Sequence, residues 1–456
     1  MNINIIQCKE SFSTTPGLIL ANNLTQGLNF KAFDKLSNAT TNSRWIPNSS
    51  IVKGSVYMQF LGMTNYQDIE IMNEDPLFEN LIGNISPETY RQRFDFLGKE
   101  SDIEQIIDDM NTDFLQKVKI DPIIYNGQEY YALDIDVTPF TDESHKESIA
   151  MTYKKHLGYA PIMAYLGSYA IKFELRPGSQ HSANGAIKFV EKCFRIIQKI
   201  GIPLDQVLVR CDSGHDDSIF MNYCEERGVK FLIKRNLHGQ DRKLIHEVLG
   251  STEPVYRDDR PNYRVYNYID FDKKPCKYIY RNCITIYRVN QKYSKDYFQE
   301  SLIGPIFRKN EIEAYWTNLN VTNKDGTVDM NGRIEDIIEL YHQHAESEQY
   351  HSELKTDMDM ELLPSKHFAT NALFLQLSVI AFNMLRAIGK IALEVDDKLQ
   401  PRKSRSVKRL RLGTVIKRIC MGACRIVTHA REAITKFGSN YSLFDSFYGV
   451  YNATLG

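Results

Sequence analysis

Hydrophobic and polar positions change rhythm several times along the chain. Over residues 1–120 the apolar positions recur at helical spacing, and short amphipathic helices are predicted at 56–72 and 76–81 after a mixed stretch at 17–36. Ser86-Pro87-Glu88-Thr89 opens another helix: Ser86 suits the N-cap, Pro87 the first helical position, and Glu88 the positive end of the dipole. That helix carries Arg91 and Arg93, which suit either a DNA-recognition helix or a solvated face.

From residue 129 strand patterns take over. Residues 130–136 (Tyr-Tyr-Ala-Leu-Asp-Ile-Asp), 160–166 and 170–175 read as strands, the last two joined by a turn at Gly167-Ser168. A helix at 182–200, a buried-type strand at 207–210, a helix at 218–227 and a strand at 230–233 follow. Strands first and then alternating helix and strand predict a mixed sheet covered by helices. Between 236 and 320 the runs at 263–269, 277–280 and 283–287 alternate with a period of two, as antiparallel strands do. Residues 332–356 return to helical spacing, and an apolar helix is predicted at 368–386. Asn371, Gln376 and Asn383 interrupt that apolar run, which favours a buried core helix over a membrane span.

The net charge of −1 over 456 residues speaks against a chain that is basic throughout. The charge is divided, however. Residues 401–456 hold 11 Lys/Arg and 2 Asp/Glu, a net of +9, which leaves −10 on the first 400. A basic tail containing Arg402, Lys403, Arg405, Lys408 and Arg409 predicts contact with a polyanion. Nine of the 26 tyrosines lie in residues 251–300, interleaved with lysines and arginines, a mixture that suits stacking on unpaired bases. An ordinary meander with tyrosines packed in the sheet reads equally from the same residues. No secretory signal is visible at the start. Cys420 and Cys424 are four apart with no His/Cys pair nearby, so no zinc site is expected and the cysteines are read as reduced, in the cytoplasm.

Three acids stand out by placement. Asp136 closes the first strand, Asp212 follows the fourth, and Glu348 lies within the 332–356 helix. Functional acids favour strand ends, where side chains face a crevice, although turn, cap and solvated roles are available to each. Tyr341, Glu348 and Lys355 are spaced by seven and His344 lies between, so one helical face would be polar where a core stripe is apolar. Asp134 shares a strand face with Asp136 and is the alternative first ligand.

The order Asp, Asp, Glu, with a β-rich insert before the Glu, resembles the DDE transposases of bacterial insertion sequences. Their signature helix reads Tyr-x2-Arg-x3-Glu-x6-Lys. Here Tyr341, Glu348 and Lys355 match and His344 stands where the family has Arg. Asp136-Val137-Thr138 is similar to the family's Asp-x-Thr element, and residues 175–186 and 362–372 resemble its flanking segments. The likeness covers roughly residues 10–450.

The resemblance implies an α/β fold: a ribonuclease-H-like core interrupted by an antiparallel β insertion, with helical N-terminal and basic helical C-terminal regions. The corresponding segments are 1–120, 125–235, 236–325, 326–395 and 396–456. It implies that Asp136, Asp212 and Glu348 hold Mg²⁺ or Mn²⁺ and that the chain cleaves insertion-sequence ends and joins the 3′-OH to target DNA. It further implies DNA contacts from Thr138, Tyr341, His344 and Lys355, with Trp316 as a candidate base stacker in the insert. The expected partners are double-stranded DNA, at terminal inverted repeats and target, and a second copy on paired ends. The expected place is the bacterial cytoplasm, at the nucleoid, without a membrane. A nuclease without strand transfer, or an inactive DNA-binding derivative, are the alternatives.

Overall fold

The computed structural model describes residues 3–36, 46–237, 241–254, 263–270, 284–293, 307–322, 327, 332–396, 399, 409–429 and 432–455. Its centre is one mixed sheet. The strands are β1 (Gln128–Val137), β2 (Ile162–Leu166), β3 (Tyr169–Glu174), β4 (Val207–Cys211), β5 (Lys230–Lys234), β6 (Tyr263–Asp270), β7 (Ile284–Tyr293) and β8 (Phe307–Thr317). Their order across the sheet is β6-β7-β8-β5-β4-β1-β2-β3, and Ile123–Tyr125 also pairs with β1. β1 runs parallel to β4, and β4 to β5, while the other pairings are antiparallel.

The residues of β2 and β4 are buried along their whole length, so both faces of the sheet are covered there. Helix α1 (Ala186–Lys199) turns Phe189, Val190, Cys193, Phe194 and Ile197 inward at helical spacing. The predicted runs at 263–269 and 283–287 are strands, and they extend the central sheet: β8 pairs with β5 through Leu232↔Thr317 and Ile233↔Trp316. The predicted run at 277–280 lies outside the described residues.

The long apolar helix α2 (Phe368–Val395) extends well past the predicted 368–386. By length and hydropathy it could cross a membrane, yet its most apolar stretch is 89% buried within the fold. Its polar interruptions explain how. Asn383 donates to Asn111 Oδ1 at 2.9 Å and to the Ala170 carbonyl at 2.8 Å, and accepts from Ala170 N at 2.7 Å. Asn371 ties Ser365 in the same two-way fashion. Each amide thus satisfies backbone that an apolar residue would leave unpaired. The third interruption, Gln376, keeps its Oε1 buried without a hydrogen bond.

Ser86 caps the helix Pro87–Leu97 through Thr89 N, as the sequence predicts. A continuous helix over 56–72 is not formed. The helix Asn48–Phe60 stops before Gly62, whose φ of +75° and close approach to the Asp357 carbonyl (2.8 Å from where a Cβ would lie) suit only glycine, and a new helix starts at Asp68. These N-terminal helices share the core with α2; Phe94 stacks on Phe374 at 4.4 Å.

The C-terminal region is helical only in part. After Leu412–Val415 the chain forms a hairpin, Cys424–His429 with Glu432–Phe437, before the last helix Phe444–Thr454. The first hairpin strand pairs with Ser11–Ser13, so the two ends of the chain share one small sheet. Alternation of Cys424 and Ile426 toward the interior gives this strand its buried face.

Candidate active site

The parallel register of β1 and β4 builds the centre of the site. Asp134 lies opposite Arg210, and Ile135 opposite Cys211. With a period of two, Asp136 follows Asp134 on one face and Asp212 follows Arg210, so an ion pair within the sheet is succeeded by two carboxylates where the strands end.

Asp212 leaves β4 and caps a short turn. Its Oδ1 accepts from Gly214 N at 3.0 Å and lies 3.1 Å from His215 Nδ1. A Cβ at position 214 would lie 3.0 Å from Ser182 Oγ and 3.1 Å from Asp212 Oδ1, which explains the glycine. Burial works against the Asp212 charge, but His215 and the Gly214 amide outweigh it and hold the carboxyl below its usual range. Asp136 differs. Its Oδ1 accepts from Val137 N at 2.7 Å, and burial followed by the Asp212 charge raises its carboxyl to about 6.

Each aspartate also carries a buried histidine. His351 Nδ1 is 3.4 Å from Asp136 Oδ2, and burial, reinforced by His344 and Lys355, lowers His351 to about 3, so it is neutral. The Nε2 atoms of His215 and His351 are both buried without a hydrogen-bond partner.

Glu348 reaches the site on a helix that is not continuous. The expected helix over 332–356 is three pieces: Gly332–His342, Ala345–Ser352, and a wider turn at Glu353–Asp357. The break follows from Arg210. Its Nη1 takes the Leu340 carbonyl at 2.6 Å, the acceptor that a regular helix would offer to His344 N, and His344 N bonds Tyr341 O instead. Tyr341, Glu348 and Lys355 therefore do not share one straight face. Glu348 is exposed, and its carboxylate acts with those of Asp136 and Asp212 on a single phenol. Burial and then these three charges push the Tyr153 hydroxyl up to about 12. Tyr153 belongs to the segment between β1 and β2, which carries a small sheet of Phe140–Thr141, Ala150–Met151 and Leu157–Tyr159, and its hydroxyl donates to the Val137 carbonyl at 3.2 Å.

Two repelling carboxylates with free oxygen lone pairs suit a hard divalent cation. Among the described residues no group of three or more His, Cys, Asp or Glu side chains is drawn together tightly enough to hold a metal. Asp136 and Asp212 act on each other through their charges, and Glu348 is exposed.

Several sequence-predicted site residues lie elsewhere. Asp134 is buried, with Arg210 Nε and Nη2 on its two oxygens at 2.7 Å and His344 Nδ1 at 2.8 Å. Burial opposes its charge, but Arg210 and His344 hold it below its usual range, and both of its oxygens are engaged within the fold. His344 accordingly faces the protein and is buried. Trp316 is 5% exposed, donates to Asp216 Oδ1 at 2.9 Å and has the Arg235 guanidinium 4.6 Å from its ring centre, so it packs in the core. Arg93 is buried against Asn48 and the Ile46 carbonyl, and Arg409 is paired with Glu353 and Gln349. Both tie parts of the fold together.

Arg91 is half-exposed and bridges Glu88 and Asp95. Thr138 is buried beside Asp136. Tyr341 packs its ring 4.6 Å from Tyr315, and burial raises its hydroxyl far up. Lys355 turns to the Pro139 carbonyl, with its Nζ 3.7 Å from Glu361 and 5.5 Å from the Phe140 ring centre. Arg402, Lys403, Arg405 and Lys408 lie outside the described residues.

Sequence reading missed Tyr153, Arg210, His215 and His351. Arg210 carried a signal, since it precedes Asp212 by the same two residues that separate Asp134 from Asp136.

Residues 10–454 match the family model described as transposase DDE domain group 1. No curated protein matches the chain. Among solved structures, a cryo-EM structure of a piggyBac transposase synaptic complex with hairpin DNA aligns over 83% of this chain and 77% of its own, at 11% identity and a TM-score of 0.40.

Proposed function

The chain belongs to the transposase DDE domain family, group 1, and from that premise we propose that it cuts DNA at the ends of an insertion sequence and joins the freed 3′-OH to target DNA. The observation that carries this reading is the pair of aspartates, Asp136 and Asp212, that follow the paired Asp134 and Arg210 at the ends of the adjacent parallel strands β1 and β4. The strand order β3-β2-β1-β4-β5, with only β2 running against the other four, supports a ribonuclease-H-like core.

In the first step a water oxygen attacks the phosphorus at the element end and the 3′-oxygen leaves. In the second, that 3′-oxygen attacks a target phosphodiester and displaces another 3′-oxygen. Asp136 and Asp212, with Glu348, are the residues to hold Mg²⁺ or Mn²⁺, which supplies charge neutralisation and oxygen activation there. His215 and His351 orient the two aspartates, as outer partners of ligating carboxylates do. The exposed arginine Arg91 and the basic tail are the surfaces offered to DNA, and paired ends call for two copies of the chain.

The test is purified protein with Mg²⁺ and DNA carrying the element's ends. Nicking followed by joining supports transposition, and nicking alone would leave a nuclease. Binding without cleavage would overturn the enzymatic reading. Alanine at Asp136, Asp212 or Glu348 should abolish cleavage while end binding persists.

A further inference from the structure

Each of the three acid-bearing elements carries a second charged or polar residue just before its acid. Asp134 precedes Asp136 by two on β1, Arg210 precedes Asp212 by two on β4, and His344 precedes Glu348 by four. These three side chains meet. Arg210 forks onto both oxygens of Asp134, and His344 Nδ1 bonds Asp134 Oδ1 at 2.8 Å. A carboxylate oxygen only accepts, so Nδ1 carries the hydrogen. The remaining Arg210 nitrogen, Nη1, holds the Leu340 carbonyl. All three side chains are at most 8% exposed.

We infer that Asp134, Arg210 and His344 form a buried clamp that positions the three acids relative to one another. The inference rests on the acid assignment proposed above. It is a positioning role: no member is free to touch DNA or a metal, and each acts through the acid on its own element. β1 and β4 are also locked by their ladder, but the Glu348 helix is a separate strut. Among the described residues, two hydrogen bonds join its start to the sheet: His344 Nδ1 to Asp134 Oδ1 and Arg210 Nη1 to the Leu340 carbonyl. The carbonyl taken from the helix breaks it, and the break lets Ala345–Ser352 start afresh with His344 as its anchor. Register between Glu348 and the two aspartates is therefore set by His344 at the start of this helix, together with His351 near its end, whose Nδ1 lies 3.4 Å from Asp136 Oδ2. The same geometry explains how the chain carries His at this position of the signature helix. The guanidinium comes from the neighbouring strand, and an imidazole fills the shorter remaining gap to Asp134.

The test centres on His344, because removing Asp134 or Arg210 would strand a buried charge and unfold the protein. His344→Asn places an amide nitrogen where Nδ1 lies and keeps the hydrogen bond, whereas His344→Ala removes it. Four readouts are taken on the full chain: melting temperature, affinity for end-bearing DNA, Mn²⁺ affinity by calorimetry without DNA, and cleavage of end-bearing DNA under single-turnover conditions. The expected result is that His344→Ala binds DNA within about twofold of the parent, weakens Mn²⁺ binding and slows cleavage by about tenfold or more, and that His344→Asn recovers most of both.

Unchanged Mn²⁺ affinity and cleavage in His344→Ala would overturn the clamp, as would a loss that His344→Asn fails to restore while remaining folded. If His344→Ala does not fold, the comparison of His344→Asn with His344→Leu, which fills the site without a donor, decides in the same way. Asp136→Ala is run alongside. If it still cleaves, the acid assignment fails and the clamp with it. If it is inactive while His344→Ala is normal, only the clamp fails.

Discussion

Asp136 lies against Asp212 at the ends of two parallel strands, where burial and then that neighbouring charge lift its carboxyl to about 6. The folded chain thus binds a proton on Asp136 more tightly than the unfolded chain, whose carboxyl titrates near about 4. This group favours the fold at low pH and opposes it as pH rises from about 4 through about 6. Asp136→Asn keeps an acceptor for Val137 N and removes the charge. Without divalent ions at pH 7 it should be more stable by on the order of 1–3 kcal/mol in urea unfolding, while cleavage is lost. A variant that unfolds at lower urea than the parent would contradict the placement of Asp136 beside Asp212.

His351 pulls the other way. Burial, then His344 and Lys355, lower it to about 3, so the folded state resists a proton that the unfolded chain accepts near about 6.5. Its contribution is full above that value and is lost as pH falls toward about 3. His351→Gln should therefore flatten the acid limb of a stability–pH curve. An acid limb as steep as the parent's would show that another group sets it.

Glu353 joins three parts of the chain. Its carboxylate receives Arg386 at 3.2 Å, Arg409 and the Leu412 amide at 3.0 Å, all within the fold. Glu353→Ala should cost about 3–5 kcal/mol, because it leaves two guanidinium groups without their shared anion. Chemical unfolding monitored by circular dichroism measures this, and a loss below about 1 kcal/mol would refute the assignment of Glu353 as the anchor.

Trp316→Phe separates core packing from base stacking. The substitution removes the bond to Asp216 and some packed volume, so a loss of about 1–3 kcal/mol in stability is expected. Affinity for end-bearing DNA in a fluorescence-anisotropy titration should stay within about twofold. A large loss of DNA affinity with normal stability would restore the stacking role.

What the sequence made legible was local. The period of two at residues 130–136 reports β1 because alternation is a property of neighbouring residues, and Ser86 reports a helix start because its partner, Thr89 N, is three residues away. The aspartates were found for the same reason, since both stand at strand ends. The positions that misled depend on distant partners. Arg93 reads as a surface base until Asn48 is packed on it, and Arg409 reads as tail until Glu353 reaches it. The break after His342 is invisible in the helical spacing, because it is made by Arg210, 130 residues from the Leu340 carbonyl it takes. The pairing of Ser13 with Cys424, 411 residues apart, has no local signature either.

Tyr153 offers the last test, because its two ends face different surroundings. The residue is 61% exposed, yet its hydroxyl is fixed on the Val137 carbonyl in the field of all three acids. Burial and those charges raise the phenol to about 12, so it stays protonated and is a poor base at neutral pH. If the chain cuts DNA as proposed, the exposed ring is the part of Tyr153 open to a nucleotide. Removing the hydroxyl costs one hydrogen bond of about 1 kcal/mol, whereas removing the ring removes the stacking surface, worth about 1–3 kcal/mol. Tyr153→Phe should therefore cleave within about fivefold of the parent. Tyr153→Ala should lose about tenfold or more in kcat/KM, mainly through KM. Equal losses in the two variants, carried by kcat, would instead assign the hydroxyl a part in proton transfer.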